Sequence, residues 1–129
     1  MATATRQTYG LEPTFTVSDL KRSIAFYEGL GFTVAEEMKE QGELRGVMLE
    51  AGSARLGLSQ DDFAKGRDRV KGVGMRLYLE TDGDIRTIAE QAKTAGLKLE
   101  TGPEPLPWGP MGFTVTDHDG FKLTIMNRQ

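Results

Sequence analysis

The sequence predicts an α+β domain built from two copies of one βαβββ module, and three observations support this prediction. Each half of the chain has an apolar extended run followed by an amphipathic stretch with a helical period. The two stretches match in length, because Asp19 and Gly31 are twelve positions apart, as are Asp84 and Gly96. Each half then ends with a small turn and an alternating apolar strand. Neither half alone can bury much apolar surface, so we expect the halves to pack together.

In the first module, residues 12–17 are expected to form a strand, and Ser18 or Asp19 can cap a helix over 20–30. Gly31 suits the left-handed position that ends such a helix. Three short strands are predicted next, separated by glycine-containing or charged turns, at 32–35, 44–50 and 55–59.

The second module is expected to repeat this order after a connector. Residues 61–72 carry charges of both signs and are interpreted as a solvated link. The segment 102–110 is rich in proline and glycine and is predicted to be a loop. One domain is therefore expected over 11–127, with modules at about 11–60 and 73–127. Its second-module elements are a strand at 75–80, a helix at 85–95 and strands at 98–100, 112–116 and 121–126.

The composition restricts the classes of function. The chain has 129 residues, 38% of them hydrophobic, as expected for one globular domain. The absence of cysteine excludes disulfides, thiolate metal sites and cysteine nucleophiles. Because the net charge is −3 and basic residues alternate with acidic ones, we expect no nucleic-acid partner. No run approaches the roughly 20 apolar residues of a membrane span, so we expect a cytoplasmic protein with no membrane partner.

Four groups of residues form a combination that is typical of one family: Val17-Ser-Asp-Leu20 with Phe26-Tyr27 and Leu30-Gly31-Phe32, Gly74-Met-Arg-Leu-Tyr-Leu79, Pro107-Trp108-Gly109, and Val115-Thr-Asp-His-Asp-Gly-Phe121. The chain resembles the vicinal oxygen chelate superfamily, in its glyoxalase/bleomycin resistance protein/dioxygenase-like branch. This resemblance implies two βαβββ modules that form a curved mixed sheet around a cleft, with the helices on the convex side. It also implies a homodimer.

Catalysis in that family depends on a divalent metal, which three or four His, Glu or Gln side chains hold in the cleft. The resemblance places Glu12 at the first ligand position, Gly74 at another, and Thr124 where a glutamate is common. Ser59 or Gln60 lies near the remaining position. Glycine has no ligating side chain, and two donors such as Glu12 and Gln60 do not hold a catalytic ion. We therefore predict no metal and no cofactor, with a divalent metal as the alternative.

The single histidine, His118, lies within Asp117-His-Asp-Gly120 and is interpreted as a surface turn residue. No second histidine can pair with it, and the sequence contains no Gly-x-Ser-x-Gly motif. Nucleophilic catalysis therefore has little support from the sequence.

Alternation along the predicted strands identifies the side chains that can face the cleft. Aromatic and methionine surfaces bind flat ligands well, and arginine suits anionic groups. Several alternatives stay open. The tryptophan can instead close one end of the core, the arginines can pair with neighbouring glutamates, and the other side chains can fill the cleft floor. The candidate ligand-binding residues are Met48, Arg55, Arg76, Tyr78 and Trp108.

Two classes of function remain. We expect a metal-free small-molecule-binding protein resembling the bleomycin resistance proteins, which sequesters a small planar or anionic ligand in a dimer cleft. The alternative is a lyase, isomerase or dioxygenase of the same superfamily, with a metal or with Glu12 as a general base. A domain whose cleft has closed entirely is a third possibility.

Overall fold

The computed structural model describes residues 6–128, which form two helices and two four-stranded sheets. The predicted α+β class and the two βαβββ modules are confirmed, and each module forms its own sheet. Among the residues described, neither helix is long and apolar enough to cross a membrane. The first module contains β1 (Thr14–Val17), α1 (Leu20–Glu28), β2 (Thr33–Glu40), β3 (Glu43–Ala51) and β4 (Ala54–Gln60). The second contains β5 (Arg76–Thr81), α2 (Ile85–Thr94), β6 (Leu99–Pro105), β7 (Met111–Thr116) and β8 (Lys122–Asn127).

The two sheets have the same topology. Their strand orders are β1-β4-β3-β2 and β5-β8-β7-β6. In each sheet the first strand of the module pairs in parallel with the last, and the other pairs are antiparallel. Phe15 is the register partner of Leu58, and Leu77 is the partner of Leu123. The repeat seen in the sequence is therefore a repeat of complete sheets.

Both helices begin at an aspartate cap. The Asp19 carboxylate accepts a hydrogen bond from the backbone nitrogen of Arg22, and Asp84 accepts one from Arg86. The helices end at Glu28 and Thr94, slightly earlier than predicted. Tight turns replace the last predicted residues and lead to a glycine with positive φ, at Gly31 (φ 96°) and Gly96 (φ 93°).

Two strands extend well beyond their predicted ends. β2 was expected to stop at residue 35, but pairing with β3 continues to Glu40 through a run of charged residues that are weak strand formers. β6 includes Pro103 and Pro105, which the sequence assigned to a loop. Both strands lie at sheet edges, where a residue without a backbone N–H is tolerated. Pairing with a neighbouring strand therefore overrides local propensity at both edges.

Buried residues of both modules form one hydrophobic core. Phe15 of β1 stacks on Phe121, which precedes β8, with ring centroids 3.9 Å apart and planes 5° from parallel. The Tyr27 hydroxyl in α1 donates a 2.6 Å hydrogen bond to Asp117 of the second module. Burial raises the pKa of Tyr27 and also that of Asp117. The modules are thus joined by an aromatic stack and by a buried polar contact.

The connector is solvated in its middle but not at its two ends. The side chains of Asp61 and Lys71 are 5% and 4% exposed, and their charged atoms lie 3.0 Å apart. Arg69 adds a second ion pair to Asp61 at 3.4 Å. Lys71 also donates a hydrogen bond to the hydroxyl of Ser18. The backbone nitrogen of Ser18 in turn donates to Asp119 in the second module. The expectation of a solvated link was therefore wrong for these ends, where opposite charges neutralise each other and allow burial.

The ion pairs of Asp61 predict a loss of stability in acid. Lys71 is the main cause that holds the pKa of Asp61 at about 2, below its ordinary value of 3.8; the backbone N–H of Phe63 and then Arg69 lower it further, although burial acts in the opposite direction. A carboxyl whose folded pKa is lowered stabilises the fold above its unfolded pKa, and this contribution is lost as the pH falls toward the folded value. We expect Asp61→Asn to lower the melting temperature at pH 7 and to match the wild type near pH 2.

Thermal unfolding between pH 2 and pH 7 measures this difference. Asp68→Asn is the matched control, because Asp68 is exposed and forms no ion pair within residues 6–128. If the melting temperature of the Asp61 variant lies below that of the wild type by the same amount at every pH, the ion pairs do not cause the loss of stability.

Candidate functional site

Each sheet has one face covered by the core and one that points away from it, here called the outer face. In β1, Phe15 and Val17 are buried, whereas Thr14 is exposed and Thr16 half-buried. The same alternation places Met48 and Arg55 on the outer face of the first sheet. It places Arg76, Tyr78, Lys122 and Thr124 on the outer face of the second sheet.

Arg55 is surrounded by carboxylates. Its guanidinium lies 2.8 Å from Glu50, 3.3 Å from Glu12 and 3.8 Å from Glu36, which come from three different segments of the first module. The Arg55 side chain is about one-third exposed. The arrangement holds Glu12 beside a permanent cation, and it corresponds to the glutamate pairing that the sequence left open as an alternative.

Met48 is half-buried on β3, and the outer face beside it is covered by another side chain. A side chain at the neighbouring Gly46 would overlap the end of the Met38 side chain from β2. The space above Gly46 is thus occupied by a flexible thioether, whose carbon and sulfur atoms can shift at low cost.

An aromatic corner lies on the outer face of the second module. The rings of Tyr78 and Trp108 have centroids 5.7 Å apart and planes at 72°, an edge-to-face arrangement. The side chains are 51% and 47% exposed, so the tryptophan does not simply close the core. The β6–β7 turn presents Trp108: the nitrogen of Leu106 donates to the carbonyl of Pro110, and Leu106 packs against Gly112.

A charged row crosses the same face beside this corner. Arg76 and Lys122 are register partners on β5 and β8. Both oxygens of Glu100 accept from Lys122, at 2.7 and 2.8 Å, and the Thr116 hydroxyl also donates to Glu100. Sequence reasoning missed Glu100 and Thr116 as members of the site: the irregular β6–β7 register places Glu100, and the pairing of β7 with β8 places Thr116 beside Lys122.

Thr124 lies on this face but is buried. Its hydroxyl is 2.9 Å from the hydroxyl of Thr114 on β7, and both residues are nearly inaccessible. The two threonines therefore satisfy each other, and they continue the row of Tyr78 across β8 and β7, since Thr124 is the register partner of Tyr78.

Two cavities border three of the candidate residues, whereas Met48 and Trp108 line neither of them. One, the seam cavity, has a volume of about 480 Å³ and is lined mainly by apolar side chains, together with Glu12, Arg55 and Tyr78. The other, the connector cavity, has a volume of about 670 Å³ and includes Arg76 and Lys122. Met75 borders both cavities. The structure thus brings Arg55 and Tyr78 to one cavity and places Arg76 at the adjacent one.

The sequence profile of the Glyoxalase/Bleomycin resistance protein/Dioxygenase superfamily matches residues 11–125. The chain belongs to this superfamily. No curated protein matches the sequence significantly.

Solved structures of the superfamily share the fold. A member from Sphaerobacter thermophilus has a TM-score of 0.72 and 23% identity, over 95% of this chain and 98% of that one. TioX from Micromonospora sp. ML1 has a TM-score of 0.74 and 15% identity, over 95% and 100%. A bleomycin-binding protein solved with bleomycin has a TM-score of 0.67 and 23% identity, over 95% and 100%. At these identities the likeness concerns the fold.

The superfamily's metal positions contain a donor set that does not suit a divalent ion. Glu12 is paired with Arg55, Gly74 precedes β5 and has no side chain, and Thr124 is bonded to Thr114. Within residues 6–128, no group of three or more His, Asp or Glu side chains is arranged to hold a metal. Three protein ligands are the usual minimum for a catalytic ion such as zinc.

Gln60 supports the backbone at the start of α1. Its amide nitrogen donates to the carbonyls of Ser18 (2.8 Å) and Asp61 (3.0 Å). Its amide oxygen accepts from the nitrogen of Leu20 at 2.9 Å. The side chain is engaged at both ends in positioning the helix, so it is not available as a ligand in this arrangement.

His118 is exposed, as expected for a residue in the turn before β8. Its ring meets Phe26 of α1 edge-on, with centroids 5.7 Å apart. The contact lies on the helix side of the sheet, away from the aromatic corner.

Proposed function

We propose that this chain is a metal-free binding protein for a small planar molecule, which lies in the seam cavity against the aromatic corner. The seam cavity carries the proposal: its volume of about 480 Å³ lies within the usual range for ligand sites, and it combines an apolar lining with a few polar groups. Tyr78 stands on one side and the Glu12–Arg55 pair on the other. We place this activity in the cytoplasm, in line with the cysteine-free sequence.

The solved bleomycin-binding protein supports a ligand-binding role, because a protein of the same fold and superfamily holds a small molecule. Fold alone does not transfer a ligand, so the local chemistry must carry the choice. Two half-exposed aromatic rings at 72° offer a flat ligand one ring to stack on and another to meet edge-on.

We propose a homodimer, because apolar side chains around the seam cavity are exposed in the single chain. Tyr9 and Leu11, which line this cavity, are 93% and 92% exposed, and Met75, which also lines it, is 43% exposed. Contiguous apolar surface of this kind marks an interaction site. Sedimentation equilibrium is expected to give twice the chain mass of 14.2 kDa. A single-chain mass throughout the micromolar range would contradict the proposal.

Ligand binding is tested by the fluorescence of Trp108, which is the only tryptophan in the sequence. We expect saturable quenching by planar aromatic compounds, with bleomycin included in the panel. Aliphatic compounds of similar size serve as controls, because they lack a ring that can stack. If no planar compound binds at millimolar concentration, the proposed function is wrong.

Trp108→Ala is expected to weaken binding of a planar ligand by about tenfold, since base or ring stacking on an aromatic side chain contributes about 1–3 kcal/mol. Stability should fall by only about 1 kcal/mol, because about half of the side chain is exposed and its edge-to-face contact with Tyr78 is what the change removes. Trp108→Phe, which keeps a stacking ring, should retain most of the affinity. Because both variants lack the tryptophan whose fluorescence reports binding, their affinities are measured by calorimetry. A large loss of stability instead would place Trp108 in the core.

The metal-free part of the proposal is tested separately. Elemental analysis of protein purified without chelator should find no stoichiometric metal. Thermal shifts with Zn²⁺, Ni²⁺, Mn²⁺ and Fe²⁺ should be negligible, because ligands that bind the folded state raise its melting temperature. A rise of several degrees at low metal concentration would favour the enzymatic alternative, with Glu12 as a metal ligand.

A further inference from the structure

We infer that the ligand is an aromatic acid: its ring lies at the aromatic corner of Tyr78 and Trp108, and its anionic group is held by Arg76 beside Lys122. This inference rests on the proposed function and assigns the chemical class of the ligand. The anionic group is a carboxylate or a phosphate, which share the acceptor oxygens that arginine recognises.

The charged row contains two cations but only one carboxylate. Arg76 and Lys122 stand side by side as register partners, and like charges in this position destabilise a sheet. Glu100 contacts Lys122 directly through both of its oxygens and attracts Arg76 more weakly, without an ion pair. Within residues 6–128, Arg76 forms no ion pair. An anion beside Arg76 would therefore offset an unfavourable pairing that the fold itself leaves in place.

Glu100 is fixed as the partner of Lys122. Lys122 is the main cause that lowers the pKa of Glu100, followed by the hydroxyl of Thr116, and the charge of Arg76 contributes less. The carboxylate is thus ionised at neutral pH and held within one contact.

The connector cavity provides room for the anionic group. It has a volume of about 670 Å³ and is open to solvent beside Arg76 and Lys122. The carboxylates that line it are fewer than its cations, and Asp119 among them is engaged with Ser18. The positively charged residues of the lining are Arg67, Arg69, Lys71, Arg76 and Lys122.

The spacing along β5 sets the shape of the ligand. Arg76 and Tyr78 are two residues apart on one face, so their Cα atoms are about 7 Å apart. A ring at Tyr78 with an acid group on a fused second ring or on a short linker spans this distance, whereas a bare anion or an unsubstituted ring occupies only one end.

Calorimetric titration with 2-naphthoate, 2-naphthyl phosphate and the neutral 2-naphthamide tests the inference. We expect an acid to bind at least tenfold more tightly than the amide, and Arg76→Gln to bring the affinities for acid and amide within about twofold of each other. Arg76→Lys should keep part of the preference. Arg86→Gln is the matched control, because Arg86 is an exposed arginine on α2 and lies outside both cavities.

The outcomes separate the inference from the proposed function. Equal binding of acids and amide, with no effect of Arg76→Gln, would overturn the aromatic-acid assignment and leave a planar-ligand protein. Binding of neither acid nor amide nor any other planar compound would overturn both. Preference for naphthoate or for naphthyl phosphate identifies the anionic group, and the preference should weaken as salt concentration rises.

Discussion

Gly72→Ala is expected to destabilise the fold by about 3 kcal/mol. Gly72 has a φ of 62°, and a Cβ atom there would overlap the backbone of Gly120 in the turn before β8. The left-handed conformation costs an L-residue about 1–2 kcal/mol, and forcing atoms into a packed contact adds about 1–3 kcal/mol. Neither segment can yield easily, because Lys71 and Asp119 are tied to Ser18 on either side. Urea unfolding measures the change as a lower midpoint.

Gly74→Ala is the matched control for this substitution. Gly74 has a similar φ of 74°, but a Cβ atom there has no neighbour within 4 Å. It therefore carries the conformational cost alone, about 1 kcal/mol. Equal losses for the two variants would show that the connector does not pack against the second module as described.

Phe121→Ala is expected to cost about 3–5 kcal/mol, the usual range for removing a buried aromatic side chain. Phe121 is 8% exposed and stacks on Phe15 of the other module, so the cavity opens at the junction between the two sheets. Chemical unfolding of the variant should remain cooperative but occur at a much lower urea concentration. Val70→Ala, which removes apolar atoms from a 75% exposed side chain, should change stability by no more than about 0.5 kcal/mol.

A double-mutant cycle with Phe15→Ala tests the contact itself. The double variant should lose about 0.5–1.5 kcal/mol less stability than the sum of the losses of the two single variants, which is typical of aromatic pairs. Simple additivity would mean that the rings do not stabilise each other. Each measurement requires several protein concentrations, because association would make the apparent stability depend on concentration.

Local patterns predicted the elements that depend on local physics. The aspartate caps, the glycines after each helix and the alternation of β1 and β8 are visible within a few residues. The ends of β2 and β6 are not, because charged residues and prolines are extended there only through pairing with β3 and β7. Their lengths are a property of the sheet rather than of the segment.

The candidate site shows the same division. Alternation placed Arg76 and Tyr78 on one face of one strand. It gave no indication that Trp108, thirty positions later, meets Tyr78 edge-on. The position of Trp108 depends on the β6–β7 turn, and the register between these two strands is irregular. The grouping of Glu12, Glu36 and Glu50 around Arg55 likewise depends on the order of strands in the sheet. The sequence left pairing of Arg55 with Glu12 or Glu50 open as an alternative, whereas Glu36 joins them only through the pairing of β2 with β3.

The parallel pairing of the first and last strands has a consequence for how the chain acquires its structure. Thr14 of β1 pairs with Gly57, and Arg76 of β5 pairs with Lys122, so each sheet closes a loop of more than forty residues. The entropy of closing that loop is lost before the pairing can compensate it, which slows the search for the native state. During synthesis, β1 has to wait, unpaired, until β4 has left the ribosome. The interval is slightly longer for β5, because Arg76 and Lys122 are 46 positions apart whereas Thr14 and Gly57 are 43 apart.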